Sequence, residues 1–136
     1  MEGAHWATPL GTVQEVLARP AITLVPTAPP AVLGLCNRRG DVLPVVSISV
    51  LTGRSSHPSE GERRAPWVAV VDTPGGAAGL AVTGVPETAD LGPPVAPGEG
   101  PGALSVHRWE VGGSPIAVTL VDPAALVTAE GIAGEG

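Results

Sequence analysis

Neither phenylalanine nor tyrosine occurs in this chain of 136 residues, and only three tryptophans do. The core must therefore be built from valine, leucine, alanine and isoleucine, which bury less area than aromatics, so modest stability is expected. A single cysteine, Cys36, excludes an internal disulfide and any cysteine-rich zinc site. No apolar run is long enough to cross a bilayer, and no basic-then-apolar leader opens the chain. The expectation is a soluble, cytoplasmic protein that does not insert into membranes. Charge is also scarce, at 15% of residues with a net value of −6, which argues against nucleic acid as a direct partner.

Glycine and proline are abundant, with 19 and 16 residues. That level brings disorder into consideration. The 43% apolar content opposes it, because disordered chains carry the reverse balance of apolar and charged residues. The glycines and prolines instead punctuate valine-rich runs at strand-like intervals, as an all-β fold requires.

The stretch Val32–Gly53 organises the rest. An apolar turn, Val32-Leu33-Gly34-Leu35, leads to a polar corner, Asn37-Arg38-Arg39-Gly40-Asp41, and then to an apolar run from Val42 to Leu51. Glycine tolerates φ > 0 and aspartate accepts local backbone hydrogen bonds, so the corner predicts a chain reversal. The β-branched run after it predicts a strand, unpaired on one side where Pro44 lacks an N–H.

Upstream, Val13-Gln14-Glu15-Val16-Leu17 predicts a strand with Val13, Glu15 and Leu17 on one side; a helix over Thr12 to Arg19 is the alternative, limited to about two turns by the flanking prolines. Pro30 predicts a short helical turn before Gly34. Residues 54–66 are polar and aperiodic and predict a mobile surface loop, with Arg63-Arg64 as solvated charge. Trp67–Asp72, a Thr73-Pro-Gly-Gly76 turn and Ala77–Val85 predict a hairpin. Residues 87–102 predict a second long loop. Leu104–Val111 and Ile116–Val121 predict strands about a Gly112-Gly113 turn. Asp122-Pro123 predicts the start of a helix over Ala124–Ala129, and 131–136 a frayed tail, all within one domain spanning 1–136.

Enzymatic readings find little support. His5, His57 and His107 are scattered without a second ligand at metal spacing, so no metal site is expected. Cys36 near Asp41 is a weak nucleophile set, since most lone cysteines are buried structural residues. Thr73-Pro-Gly-Gly lacks the lysine and helix of a phosphate loop. No catalytic residues and no cofactor are expected.

Several short motifs share an order that resembles the CheW-like adaptor family, whose members couple chemoreceptors to a histidine kinase. Val13-Gln14-Glu15-Val16 follows the aromatic Trp6, and Pro29 or Pro30 precedes Gly34. Asn37-Arg38-Arg39-Gly40 matches the family's Asn-Leu-Arg-Gly, and Leu43-Pro44-Val45-Val46 its next strand. Ala78–Val82 with Gly84-Val85 matches its Gly-Leu-x-Val hairpin, and Leu120–Pro123 with Leu126 its closing Leu-Asp-Pro motif. There are departures: Arg38 replaces leucine, Ser47 and Ser49 replace aspartate and arginine, and Thr83 replaces aspartate. The apolar first strand that precedes the family's aromatic has no evident counterpart, since only Met1–His5 come before Trp6. The chain resembles a divergent, trimmed member.

The resemblance implies an all-β fold of two small SH3-like β-barrel subdomains with one or two short helices. It also implies a groove that binds the cytoplasmic tip of a methyl-accepting chemoreceptor. Carried over, the groove residues are Val13, Glu15, Arg39 and Trp67, with Arg38, Val82 and Val85 beside them. Further implied partners are a CheA-type histidine kinase or other CheW-like proteins, with the kinase contact reduced or lost if an edge is left bare. The same residues have plainer readings. Arg39 either braces the turn or serves binding, Val13 suits a core, and Trp67 is either core filler or groove anchor. A degenerate β-barrel interaction module serving a partner outside chemotaxis is the alternative function.

Overall fold

The structure, a computed structural model, describes residues 5–26, 28–53, 55–64, 67–74, 76–84, 89–99, 102–123 and 125. Two sheets carry the fold. The larger has six strands in the order β2-β6-β7-β5-β4-β3, formed by Val13–Ala18 (β2), Ile22–Thr23 (β3), Val32–Arg38 (β4), Asp41–Val46 (β5), Trp67–Thr73 (β6) and Gly76–Val82 (β7). The smaller runs β1-β10-β9-β8, from Trp6–Ala7 (β1), Ala96–Pro97 (β8), Ala103–Val111 (β9) and Ser114–Val121 (β10).

The valine run of β6 shows how a chain so poor in aromatics builds two cores. A strand sends alternate side chains to opposite faces. Val68 and Val70 join Cys36, Leu43, Val45 and Ala81 in one buried cluster. Val71 joins Val46, Ile48, Leu51, Leu80 and Val121 in the other, with Ala69 packed against it. Both faces of the sheet are thus covered, which is why β6 reads as a near-continuous apolar run. β3 crosses β4 closely at Gly34, where a Cβ would run into the Thr23 carbonyl oxygen. That close approach selects glycine at this position.

Several expectations hold. The strand over 13–18 forms with Val13, Glu15 and Leu17 as its less exposed residues. The Asn37–Asp41 corner is the β4–β5 reversal, and β5 gains its second neighbour, β7, only beyond Pro44, at Val45 and Val46.

Others are corrected. Pro29–Val32 closes as a turn, with the Val32 N–H donating to the Pro29 carbonyl at 2.9 Å, and no helix forms near Pro30. The strand expected to run to Leu51 stops at Val46. There Ser47 caps a short helix, Ile48–Leu51 (α1), its Oγ accepting from the Val50 N–H at 3.2 Å. The stretch expected as a mobile loop holds a second helix, Glu60–Arg64 (α2), and it is anchored. Ser59 and Glu62 form a reciprocal capping box at 3.0 and 3.1 Å. The buried Glu62 carboxylate also accepts from Ser47 Oγ at 2.7 Å and from the Ser49 N–H at 3.2 Å. Within 87–102, β8 pairs with β9, and His107 Nδ1 meets the Gly92 carbonyl at 2.7 Å. At the C-terminal end, Pro123 and Ala125 are helical; the rest of the expected helix and the tail lie outside the described residues.

The expectation of a missing strand ahead of Trp6 falls mostly on residues 1–4, which lie outside the described residues. The segment that starts at the aromatic, Trp6–Ala7 (β1), pairs in parallel with Thr119 and Leu120 of β10. The Thr119 N–H donates to the His5 carbonyl at 3.0 Å, so by alternation the Ala117 N–H and the Pro115 nitrogen face the same edge. Proline has no N–H to offer there.

Candidate functional site

The β4–β5 turn presents a cluster of charge, Arg38, Arg39 and Asp41. Arg38 and Asp41 are the last paired residues, leaving Arg39 and Gly40 as a two-residue loop with φ of 54° and 90°. Asn37 Oδ1 accepts from the Gly40 N–H at 2.9 Å and closes the corner. The six-stranded sheet rolls up enough to bring this turn to β2 at its far edge. Arg39 Nη1 lies 3.2 Å from Glu15 Oε1, and its Nη2 donates to Oε2 at 3.4 Å, a two-pronged contact with one carboxylate. Arg38 Nη1 donates to Gln14 Oε1 at 2.9 Å and lies 3.6 Å from Glu15 Oε1.

The three charged groups differ in exposure, and that sets what each can do. The Arg38 side chain is 16% exposed and Glu15 25%, whereas Arg39 is 77% exposed. Arg38 lies along the surface and fixes the carboxylate from beneath. Arg39 uses one face of its guanidinium on Glu15 and shows the rest to solvent. An exposed ion pair of this kind adds only about 0–1 kcal/mol to stability. Its geometry suits recognition better, because an oriented guanidinium loses less entropy when it binds.

The other residues carried over from the resemblance fall elsewhere. A bulge between Val13 and Glu15 shifts the β2–β6 register, so Val13 pairs with Val71 while Glu15 pairs with Val70. Val13 therefore packs against the Val71 core rather than at the rim. Trp67 stands abreast of Ala18 and Val82 at the other end of β6. Alternation along the strand puts Trp67 and Val82 on the face opposite Glu15 and Leu17. Both are partly buried. The expected groove residues thus divide into a charged rim of Glu15, Arg38 and Arg39, a core residue, Val13, and a separate apolar pair. Val85 lies outside the described residues.

Two features escaped the sequence reading. Gln14, the partner of Arg38, carried no motif of its own. The buried Glu62 was signalled by Ser59-x-x-Glu62, a helix-start pattern hidden in a stretch judged by its polarity.

Two of the groups weighed for catalysis, Cys36 and His107, have structural settings. Burial pushes the Cys36 thiol above its ordinary range against the pull of Arg38, the opposite of what a nucleophile needs. His107 bridges Ser105 Oγ at 2.8 Å and the Gly92 carbonyl, which clips the 89–97 segment onto β9. Among the described residues no group of three His, Cys, Asp or Glu could hold a metal ion, and no helix is long and apolar enough to cross a membrane.

The CheW-like domain family model matches residues 1–130, and the chain belongs to that family. Among solved structures it is similar to the scaffolding protein CheW of Thermoanaerobacter tengcongensis, at 21% identity and a TM-score of 0.64, covering 88% of this chain and 82% of that one. No curated protein matches. The all-β fold of two SH3-like subdomains with few short helices is therefore the observed one.

Proposed function

We propose that this adaptor binds the cytoplasmic tip of a methyl-accepting chemoreceptor through the Glu15–Arg38–Arg39 rim, with its contact to a CheA-type histidine kinase reduced or lost. The observation that supports receptor binding is Arg39 itself. It sits at a turn position with φ of 54°, where an arginine is strained, and it holds a guanidinium that is paired on one side and open on the other. A receptor helix carrying a carboxylate or backbone carbonyls would complete the open side, while Glu15 fixes the register.

The reduced kinase contact rests on the smaller sheet. The resemblance implies that adaptor and kinase pair barrel to barrel, and such pairing needs a well-formed rim. Among the described residues β1 pairs with two residues of β10, Thr119 and Leu120, and the β10 strand contains Pro115.

Titration of the purified protein with a receptor cytoplasmic fragment, and separately with the kinase regulatory domain, tests both parts beside an ordinary family member in the same salt. Receptor affinity comparable to the control with kinase affinity well below it is the expected result. Kinase affinity equal to the control would reject the second part, and absence of receptor binding would reject the first.

A further inference from the structure

We propose that the cleft between the smaller sheet and the end of α1 binds the basic side chain of a partner protein. Its volume is about 210 Å³. One wall is a row of side chains across the four strands of that sheet. Trp6 of β1 pairs with Thr119 of β10, Thr119 with Val106 of β9, and Val106 with Ala96 of β8, and all four line the cleft. Residues paired across strands share a face of the sheet, so the row is continuous. Thr52, which ends α1, lines the cleft too, and Pro97 and Glu99 line it beside β8. Exposure is graded: Thr52 is buried, Trp6, Val106 and Thr119 are half-buried, and Ala96, Pro97 and Glu99 are exposed. The cleft is therefore closed at Thr52 and open along β8.

The open side is fastened in place. The Gly92 carbonyl accepts from His107 Nδ1 at 2.7 Å, the Val95 N–H donates to the Val106 carbonyl at 2.7 Å, and the Gly98 N–H to the Leu104 carbonyl at 3.4 Å. A Cβ on Gly98 would come within 2.6 Å of the Ala103 backbone, so this segment lies tight on β9. A wall already ordered loses little entropy when a ligand settles on it.

The lining says what kind of ligand fits. Trp6, Ala96, Pro97 and Val106 are apolar, and the Thr52 hydroxyl already donates to the Ile48 carbonyl at 2.7 Å, so the closed end needs no polar partner. Glu99 is the one charged residue among the described lining. Aliphatic walls accept the methylene stem of a lysine or arginine, and a carboxylate accepts hydrogen bonds from its charged head. An anion would meet Glu99 and a net charge of −6. A wholly apolar group would cover the carboxylate without pairing it. A metal ion would find too few ligands, since no group of three His, Cys, Asp or Glu stands together among the described residues.

The test uses the full chain labelled with ¹⁵N at the tryptophan indoles and observed by NMR. The probe is a short capped peptide with one lysine flanked by alanines, compared with the same peptide carrying norleucine and with n-butylammonium chloride. The lysine peptide should shift the Trp6 indole signal and leave those of Trp67 and Trp109 in place. The norleucine peptide should bind roughly tenfold more weakly, and Glu99→Gln should weaken the lysine peptide by roughly the same factor. Glu110→Gln, on β9 outside the cleft lining, and Arg39→Ala, at the rim, should bind as the unaltered chain does, so the outcome is separate from that of the receptor reading. No shift at Trp6, equal shifts at all three indoles, equal binding of the norleucine peptide, or no loss in Glu99→Gln would overturn the proposal. Binding of n-butylammonium as tight as that of the lysine peptide would overturn it too and assign the cleft to a small organic cation.

Discussion

Two hairpins in this protein solve the same geometric problem with different residues. β9 and β10 are joined by Gly112-Gly113, with φ of 58° and 84°; β4 and β5 are joined by Arg39-Gly40, with φ of 54° and 90°. Both are two-residue loops with two positive φ angles, the form that matches the twist of paired strands. Glycine adopts it freely, whereas a residue with a Cβ is strained by roughly 1–2 kcal/mol. The β9–β10 tip is relaxed and carries no charge. The β4–β5 tip accepts strain and presents a guanidinium against Glu15. The turn alone would be better made with glycine, and an arginine kept for its side chain is what the proposed receptor contact requires.

The largest expected effects break the functional half of that comparison. Arg39→Ala and Glu15→Ala should each weaken receptor binding by about 1–3 kcal/mol if these groups are desolvated in the complex. Calorimetric titration measures this, with circular dichroism to establish that both variants are folded. At the other hairpin, Gly112→Val should cost roughly 2 kcal/mol of stability, because a β-branched side chain is forced to positive φ. Its receptor affinity should not change. Denaturant unfolding of this variant beside Arg39→Gly makes the comparison direct.

Arg39→Gly sharpens the contrast, because it should raise stability by about 0.5–1 kcal/mol while losing receptor affinity as Arg39→Ala does. A fall in stability would mean that the ion pair outweighs the backbone strain. The smallest effect is that of salt on unfolding. The Arg39–Glu15 pair is exposed, so raising the salt concentration should change the difference in stability between the unaltered chain and Glu15→Ala by no more than about 0.5 kcal/mol. A larger change would give the rim a structural role.

Much of the fold was legible because period and punctuation agreed. Asn37–Asp41, Thr73–Gly76 and Gly112-Gly113 are the hairpin turns of the structure, and the valine run of β6 is a strand buried on both faces. What was misread lay where local chemistry competes with pattern. Ile48–Leu51 is apolar and β-branched enough to continue a strand, but the Ser47 hydroxyl offers a helix cap and ends it. Residues 54–66 looked like solvent-facing loop because polarity hides a carboxylate whose partners, Ser47 and Ser49, lie far off in sequence.

The candidate site was legible in part. Motif order found Glu15 and Arg39, and the structure brings them together. Spacing gave no warning of the bulge that sends Val13 into the core, and nothing in the order of motifs revealed that Trp67 and Val82 face away from Glu15. A bulge is a one-residue event, invisible to a period-two pattern until the partner strand is known.

Receptor binding through the rim requires Glu15 and Arg39 to act as one recognition unit. A double-mutant cycle on receptor binding, with the unaltered chain, Glu15→Ala, Arg39→Ala and the double variant, measures that pairing directly. Each single change should weaken binding, and the double variant should lose less than the two losses together, with a coupling of at least about 0.5 kcal/mol. Folded single variants that bind the receptor fragment as tightly as the unaltered chain would contradict it.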